Sequence, residues 1–197
     1  MKIKSVRFTQ IAIVLMSIVF ILNLILSRDY NVFWIVLSGG GKIIDYLGAS
    51  YKTVVEAFQL YRLVTYGYTQ PAIWHLVANA FALWYVGTYL EKKVGSFKFV
   101  LVFHLGLIAP GISMIVIFQN GFNYGASPAI FACIGVLINW MISKRELWRE
   151  YKLQKGFHFL FWYFIVSNFL SARTAIIHLL GFCAGLILGF VLKDKGV

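Results

Sequence analysis

The chain has 197 residues, about the length of one ordinary domain. Hydrophobic residues make up 60% and charged residues 13% of it, whereas a soluble domain has about 45–50% apolar and about 25% charged residues. A water-soluble protein of this composition could not cover its own surface, and a disordered chain would be far less apolar. The composition therefore predicts a polytopic membrane protein.

The net charge of +11 arises from 18 Lys and Arg against 7 Asp and Glu. In a soluble protein this excess would suggest a nucleic-acid partner. Here the cations cluster between apolar runs, which favours a role in membrane orientation and predicts no nucleic-acid partner. Cys133 and Cys183 lie inside apolar runs, and we expect both to be buried free thiols.

Six apolar runs follow one another along the chain. They cover about residues 9–27, 73–90, 97–118, 127–143, 157–172 and 174–192. A membrane span needs about 20 mostly apolar residues, so each run is a candidate span. No small-residue cleavage site follows the first run, and we expect it to be a retained span. The runs predict an all-α membrane protein, a six-helix bundle forming a single domain over residues 1–197.

Residues 28–72 form one long connection between the first two runs. Its apolar piece from Tyr30 to Leu37 is too short to span a bilayer, and Gly39 to Gly41 interrupt it. A second piece, Tyr51 to Tyr61, carries charges on a helical pattern. We expect this connection to lie in or on the membrane surface, not to form an aqueous domain.

The basic residues predict the orientation. With the N-terminus inside, 13 of the 18 cations fall in inside segments. These are Lys2, Lys4, Arg7, Lys92, Lys93, Lys98, Lys144, Arg145, Arg149, Lys152, Lys155, Lys193 and Lys195. The bias favours cytoplasmic termini. The second, fourth and sixth runs then all begin on the outer side, so polar residues near their starts share one depth.

Acidic residues are absent from all six runs. Asp29, Asp45, Glu56, Glu91, Glu146, Glu150 and Asp194 lie outside them. A membrane aspartyl protease needs paired carboxylates, and a zinc protease needs a ligand set such as His-Glu-x-x-His. A proton relay through Asp and Glu also loses support. The sequence therefore favours neither an aspartyl protease, nor a zinc protease, nor a proton-coupled transporter.

A serine with a histidine base remains chemically possible. Ser127 begins the fourth run, and His178 lies one turn into the sixth. His178 could take the proton of Ser127, which is a poor nucleophile without a base. His75 and Asn79 are four residues apart, project from one helix face and could donate hydrogen bonds to an oxyanion.

Small residues predict close packing of the two helices that carry Ser127 and His178. His178, Gly181 and Gly185 share one stripe, while Ser127 and Phe131 share another. Glycines at every fourth position let helix backbones approach closely. Structural alternatives to these catalytic roles stay open. Ser127 with Pro128 could be a helix cap, and His178, or His75 with Asn79, could be structural. We interpret Asn23, Asn139 and Asn168 as polar contacts between helices, and His104 as structural.

The motifs and their order resemble the rhomboid family of intramembrane serine proteases over about residues 58–192. The matching stretches are Tyr61-Arg62-Leu63 with Thr65, His75-Leu-Val-Ala-Asn79, Gly125-Ala-Ser127, and His178-Leu-Leu-Gly181 with Gly185. The resemblance implies a six-helix bundle whose membrane-embedded first loop is the 28–72 connection. It also implies transmembrane proteins as substrates, the lipid bilayer as environment, and no metal or cofactor.

The resemblance assigns roles residue by residue. Ser127 matches the nucleophile and His178 its base, while His75, Asn79 and the loop residue Gly125 match the oxyanion site. Phe131 matches an aromatic that packs near the histidine, Gly181 and Gly185 match packing glycines, and Arg62 matches a loop arginine.

Pro128 departs from the family pattern, which has glycine after the serine. It favours one alternative, a catalytically inactive rhomboid-like protein that binds transmembrane segments. A small transporter or channel is a second alternative. No transit peptide is visible, so a bacterial plasma membrane is the simpler expectation for location.

Overall fold

The computed structural model describes residues 7–192, and almost all of its regular structure is helical. Lys2, Lys4, Lys193, Asp194 and Lys195, which entered the sequence arguments, lie outside the described residues. The helices are α1 (Phe8–Leu26), α2 (Val32–Ser38), α3 (Lys42–Leu47), α4 (Arg62–Thr65), α5 (Ile73–Val94), α6 (Ser96–Ile117), α7 (Ser127–Ser143), α8 (Arg145–Lys152), α9 (Phe157–Val166) and α10 (Ala172–Val191). Within residues 7–192, extended pairing is limited to one bridge between Ala49 and Asn123. The predicted all-α class is confirmed.

Among the described residues, three helices are long and apolar enough to cross a membrane, namely α1, α6 and α10. The apolar helices Ser127–Ser143 and Phe157–Phe169 are shorter. Helix α5 has 22 residues, but its polar residues, including His75 and Asn79, lower its mean hydropathy. All six predicted runs are helical, while a count of six spans stays a prediction.

The helix ends differ from the predicted runs where caps and turns intervene. Helix α5 extends past residue 90 to Val94, where Gly95 with φ of +86° ends it. Helix α9 stops at Val166 and continues as a 3₁₀ turn over Ser167–Phe169. Ser171 then caps α10 by accepting a hydrogen bond from the Thr174 N–H, so α10 begins two residues early.

The 28–72 connection folds into short helical pieces. Gly39, Gly40 and Gly41 all have positive φ and separate α2 from α3. A π-helical turn at Lys52–Glu56 and a 3₁₀ turn at Tyr66–Tyr68 flank α4. The buried Arg62 guanidinium donates to the carbonyls of Asp45 (2.7 Å) and Gly48 (2.8 Å), so it ties α3 to α4.

Helix α7 lies at the centre of the bundle. Nearly every residue from Ser127 to Met141 is buried, and α5, α6 and α10 surround the helix. The outer helices α1 and α10 expose large apolar side chains along their outward faces, as a lipid environment requires. Cys133 is buried in α7 as expected, but the expectation was wrong for Cys183, which faces outward from α10.

Polar contacts cluster at the end of α5 opposite to His75. The buried Glu91 carboxylate accepts from the backbone N–H groups of Phe8 (2.7 Å) and Thr9 (3.0 Å), and from the Ser96 hydroxyl (2.6 Å). This side chain therefore satisfies the open N-terminus of α1 and joins it to α5 and α6. The sequence did not predict amphipathic α8, which buries Leu147 and Tyr151 beneath this end of the bundle.

Candidate active site

Ser127 is the first residue of α7, and its hydroxyl is not used for capping. The residue at the cap position is Ala126, which offers no side-chain hydrogen bond. Within the described residues the Ser127 hydroxyl has no hydrogen-bond partner, so the helix-cap alternative is wrong. Pro128 follows in the first turn, where its missing N–H costs no helical hydrogen bond.

The loop before Ser127 is shaped by Gly125. Its φ is +101°, and a Cβ at this position would lie 2.6 Å from Cε1 of His75. The Gly125 N–H donates to the carbonyl of Tyr66 at 2.8 Å. Gly125 was predicted as part of the oxyanion site, but its N–H is already engaged. Here it provides room for the His75 ring.

Two further contacts hold this loop in place. Arg173, near the start of α10, donates to the Asn120 carbonyl (2.7 Å) and to Oδ1 of Asn123 (3.0 Å). Asn123 also exchanges backbone hydrogen bonds with Ala49 of the long connection. The position of Ser127 therefore depends on α10 and on the connection as well as on α7.

Glycines bring α7 and α10 into backbone contact. A Cβ on Gly181 would collide with the Pro128 carbonyl, and one on Gly185 with the Ala132 carbonyl. From the other side, a Cβ on Gly135 would collide with the carbonyl of Phe182. No other residue fits at these crossing points, so the helices approach as closely as their backbones allow.

His178 is held by an aromatic stack and one hydrogen bond. The ring is 2% exposed and lies parallel to Phe131, with a centroid distance of 4.1 Å and an interplanar angle of 12°. Phe131 in turn stacks on Phe164 of α9 at 5.1 Å. Nδ1 of His178 lies 3.2 Å from Oδ1 of Asn168, in the 3₁₀ turn after α9.

His75 and Asn79 contact one another across one turn of α5. The Asn79 amide nitrogen lies 3.3 Å from Nε2 of His75 and donates to Oε1 of Gln70 at 2.8 Å. The Tyr163 hydroxyl donates to Oδ1 of Asn79 at 2.7 Å. An amide nitrogen can only donate, so Nε2 of His75 accepts and its neutral ring carries the proton on Nδ1. That buried Nδ1 has no partner among residues 7–192.

One cavity of about 350 Å³ contains all four predicted polar side chains. Ser127, His178, His75 and Asn79 line it together with apolar residues of α9, including Trp162 and Val166. In the described part of the chain, Ser127 and His178 share this cavity without a hydrogen bond between them. Catalytic hydrogen bonds are often long without substrate and tighten when it binds.

Three polar residues at this site were missed as functional candidates. Gln70 and Tyr163 hold Asn79, and Asn168 contacts His178. Gln70 and Tyr163 carry no motif, and Asn168 was interpreted as a contact between helices. Gln70 lies just before the second predicted run and Asn168 near the end of the fifth, which was the one available signal, whereas Tyr163 lies in the middle of the fifth run and gave none.

Comparison with known proteins gives one family. A family model described as "Rhomboid domain" matches residues 57–195. The chain is 28% identical over 190 residues to Rhomboid-like protease 3 of Toxoplasma gondii, covering 94% of this chain and 68% of that protein. It is 35% identical over 100 residues to Rhomboid protease GluP of Bacillus subtilis, covering 51% of this chain and 20% of that protein.

A third relative carries a different description. The chain is 24% identical over 103 residues to a protein of Arabidopsis thaliana named Inactive RHOMBOID-like protein 8, covering 52% of this chain and 29% of that protein. The chain thus spans most of the Toxoplasma relative but less than a third of the other two.

Proposed function

The chain belongs to the rhomboid family, and we propose that it is an intramembrane serine endopeptidase. Its substrates are transmembrane segments of other membrane proteins, which reach the cavity from the bilayer. Ser127 is the nucleophile and His178 the base, without a metal or cofactor. The observation that carries the proposal is that the Ser127 hydroxyl caps no helix and lines one cavity with His178.

The chemistry follows from the two side chains. His178 takes the hydroxyl proton of Ser127 as the oxygen attacks the substrate carbonyl carbon. The proton then passes to the leaving amine as the C–N bond breaks, which leaves an acyl group on Ser127. A water molecule, deprotonated by His178, attacks the acyl carbon, releases the new carboxyl end and restores the serine.

The oxyanion requires hydrogen-bond donors, and one of the proposed donors is engaged within the protein in this structure. The Asn79 amide is shared between Gln70 and His75. For Asn79 to donate to an oxyanion, one of these two contacts must open, whereas the Nδ1–H of His75 has no partner among residues 7–192. The backbone N–H of Ser127, in the first turn of α7, has no acceptor one helical turn before it. We propose that the oxyanion binds His75, Asn79 and this N–H.

Two observations favour a second function, an inactive protein that binds transmembrane segments. Pro128 replaces the glycine that usually follows the serine, and one relative is named inactive. Under this alternative Ser127 would have ordinary serine reactivity, which one experiment can measure.

The test is covalent labelling of the detergent-solubilised protein with a fluorophosphonate probe, with mass spectrometry to locate the adduct. We expect labelling at Ser127 that disappears in Ser127→Ala and falls at least 100-fold in His178→Ala, because the hydroxyl loses its base. Ser113→Ala is the matched control, since the Ser113 hydroxyl only donates to a carbonyl in α6. Absent labelling of the wild type, beside an active rhomboid that labels in parallel, would favour the binding protein.

Location and orientation extend the same proposal. We propose that the protein lies in a cell membrane, with a bacterial plasma membrane as the simplest case, and that both termini face the cytoplasm. The cavity then opens near the outer surface of the membrane.

A further inference from the structure

Stacking on Phe131 defines the plane of the His178 ring but not its orientation within that plane. A half turn about the Cβ–Cγ bond leaves the ring stacked and exchanges Nδ1 with Cδ2. A neutral imidazole also exists as two tautomers, with the proton on Nδ1 or on Nε2. Only one combination leaves an unprotonated Nε2 facing the cavity, and a base for Ser127 requires that combination.

Asn168 makes the contact that distinguishes these states. Its Oδ1 lies 3.2 Å from Nδ1 of His178, and its amide nitrogen donates to the Phe164 carbonyl at 2.5 Å. The second bond fixes the orientation of the amide, because a flipped amide would place two oxygens in contact. Oδ1 therefore faces His178 and can only accept, so Nδ1 must donate.

We propose that Asn168 is a positioning residue, which holds His178 with its proton on Nδ1 and leaves Nε2 free to accept a proton from Ser127. A half turn of the ring would set a C–H group against Oδ1, and the other tautomer would set two acceptors against each other. Both states lose the hydrogen bond. The inference rests on the proposed function for its catalytic meaning, but the ring state itself does not depend on activity.

Asn168 lies on a different element from His178, so their contact links α9 to α10. It lies in the 3₁₀ turn Ser167–Phe169 that ends α9, where Phe164 is one turn before it. Phe164 also stacks on Phe131, which stacks on His178. One short segment of α9 thus supports the aromatic stack and supplies the hydrogen bond, so the orientation of the base follows the position of α9.

The first measurement is the tautomer of His178 by nitrogen NMR on histidine labelled with ¹⁵N. The chain has only four histidines, and His178→Ala assigns the signal. We expect an unprotonated Nε2 in the wild type. In Asn168→Leu, which keeps the size of the side chain but removes the acceptor, we expect a mixture of tautomers. Asn168→Asp keeps an acceptor and should keep Nδ1 protonated.

The second measurement is the rate of fluorophosphonate labelling at Ser127. We expect Asn168→Leu to be about tenfold slower, as loss of one neutral hydrogen bond would give, and Asn168→Asp to restore most of the rate. The matched control is Asn139→Leu, since Asn139 also bonds across to α10, at the Leu186 carbonyl, but does not contact His178. It should lower stability yet leave the tautomer and the rate unchanged.

The outcomes separate the two proposals. An unchanged tautomer and an unchanged rate in folded Asn168→Leu would overturn the role of Asn168 and leave the protease proposal intact. A tautomer that depends on Asn168 in a protein that does not label would support the positioning role and contradict the protease. Equal effects of Asn168→Leu and Asn139→Leu would show a structural role only, which also overturns the inference.

Discussion

Two polar side chains of the candidate site, those of Asn79 and His178, are oriented by partners on other elements. Tyr163 of α9 and Gln70 of the connection hold Asn79, while Asn168 and Phe131 hold His178. In a buried cavity an unpaired polar group is costly, so these partners decide which atoms remain free for chemistry. Among residues 7–192, the Ser127 hydroxyl and Nδ1 of His75 have no hydrogen-bond partner.

Phe131→Leu tests the aromatic support of His178. Leucine preserves most of the volume, so we expect a loss of stability below about 1.5 kcal/mol. A stacked aromatic pair contributes about 0.5–1.5 kcal/mol. Because the His178 ring would lose this stabilisation of its orientation, labelling of Ser127 should slow several-fold. Phe97→Leu is the control, because Phe97 is 77% exposed. Equal labelling rates in both variants would contradict a role for the stack.

The sequence predicted which polar residues line the cavity better than it predicted the hydrogen bonds that these residues make. Ser127, His178, His75 and Asn79 were selected by spacing and family resemblance, and they do line one cavity. The engaged N–H of Gly125 could not be predicted, because its acceptor Tyr66 is distant in sequence. The contact of Asn168 could not be predicted either, because it depends on how the turn after α9 lies against α10.

At the scale of elements, the contact between α7 and α10 controls the geometry of the site. Backbone carbonyls of α7 lie directly against Gly181 and Gly185. Backbone atoms cannot move aside as a side chain can, so added volume must separate the helices. Such a separation would carry His178 away from Ser127.

Gly181→Ala is expected to destabilise the protein by about 1–3 kcal/mol, as overpacking does, and to lower labelling of Ser127 more than tenfold. Gly189→Ala is the comparison on the same helix. Its Cβ would lie 2.7 Å from Cβ of Asn139, so we expect a loss of stability there too, but about three turns away from His178 and without an effect on labelling. Detergent unfolding and labelling measure the two effects. If Gly181→Ala lowered labelling no more than Gly189→Ala, close backbone contact beside Ser127 would not be required.

Element boundaries show which local features a pattern can predict. The limits of α7 were predicted as 127–143 and observed as Ser127–Ser143, because a proline begins it and a polar turn ends it. The fifth run was predicted to continue to 172. The structure ends α9 earlier, and the Ser167 hydroxyl bonds back to the Tyr163 carbonyl at the 3₁₀ turn.

At the scale of the whole molecule, the apolar surface and the distribution of cations define the relation to the bilayer. Exposed apolar side chains cover α1 and α10, while Lys155 and its basic neighbours lie at the end of the bundle away from His75. The family is a family of multi-pass membrane proteins, and cations favour the cytoplasmic side.

Single cysteines can determine the orientation. In a Cys133→Ala, Cys183→Ala background, we expect Lys155→Cys to react with an impermeant maleimide only in inside-out vesicles. Asn120→Cys should react only in right-side-out vesicles, because it lies in the loop before Ser127, at the opposite end. Both positions are exposed. The reverse pattern would contradict cytoplasmic termini, and labelling after detergent lysis verifies that both thiols can react.

The sequence alone predicted the membrane class, the helical runs, the family and the candidate residues of the site. These properties follow from composition, from helical periodicity and from motif order, all of which are local or additive along the chain. The folded structure was needed to show that Ser127 caps no helix, that the Gly125 N–H is engaged and that Asn168 faces His178. Hydrogen-bond partners and ring orientation depend on how separate elements pack, and the approach of α7 to α10 is set by glycines against backbone in the folded bundle.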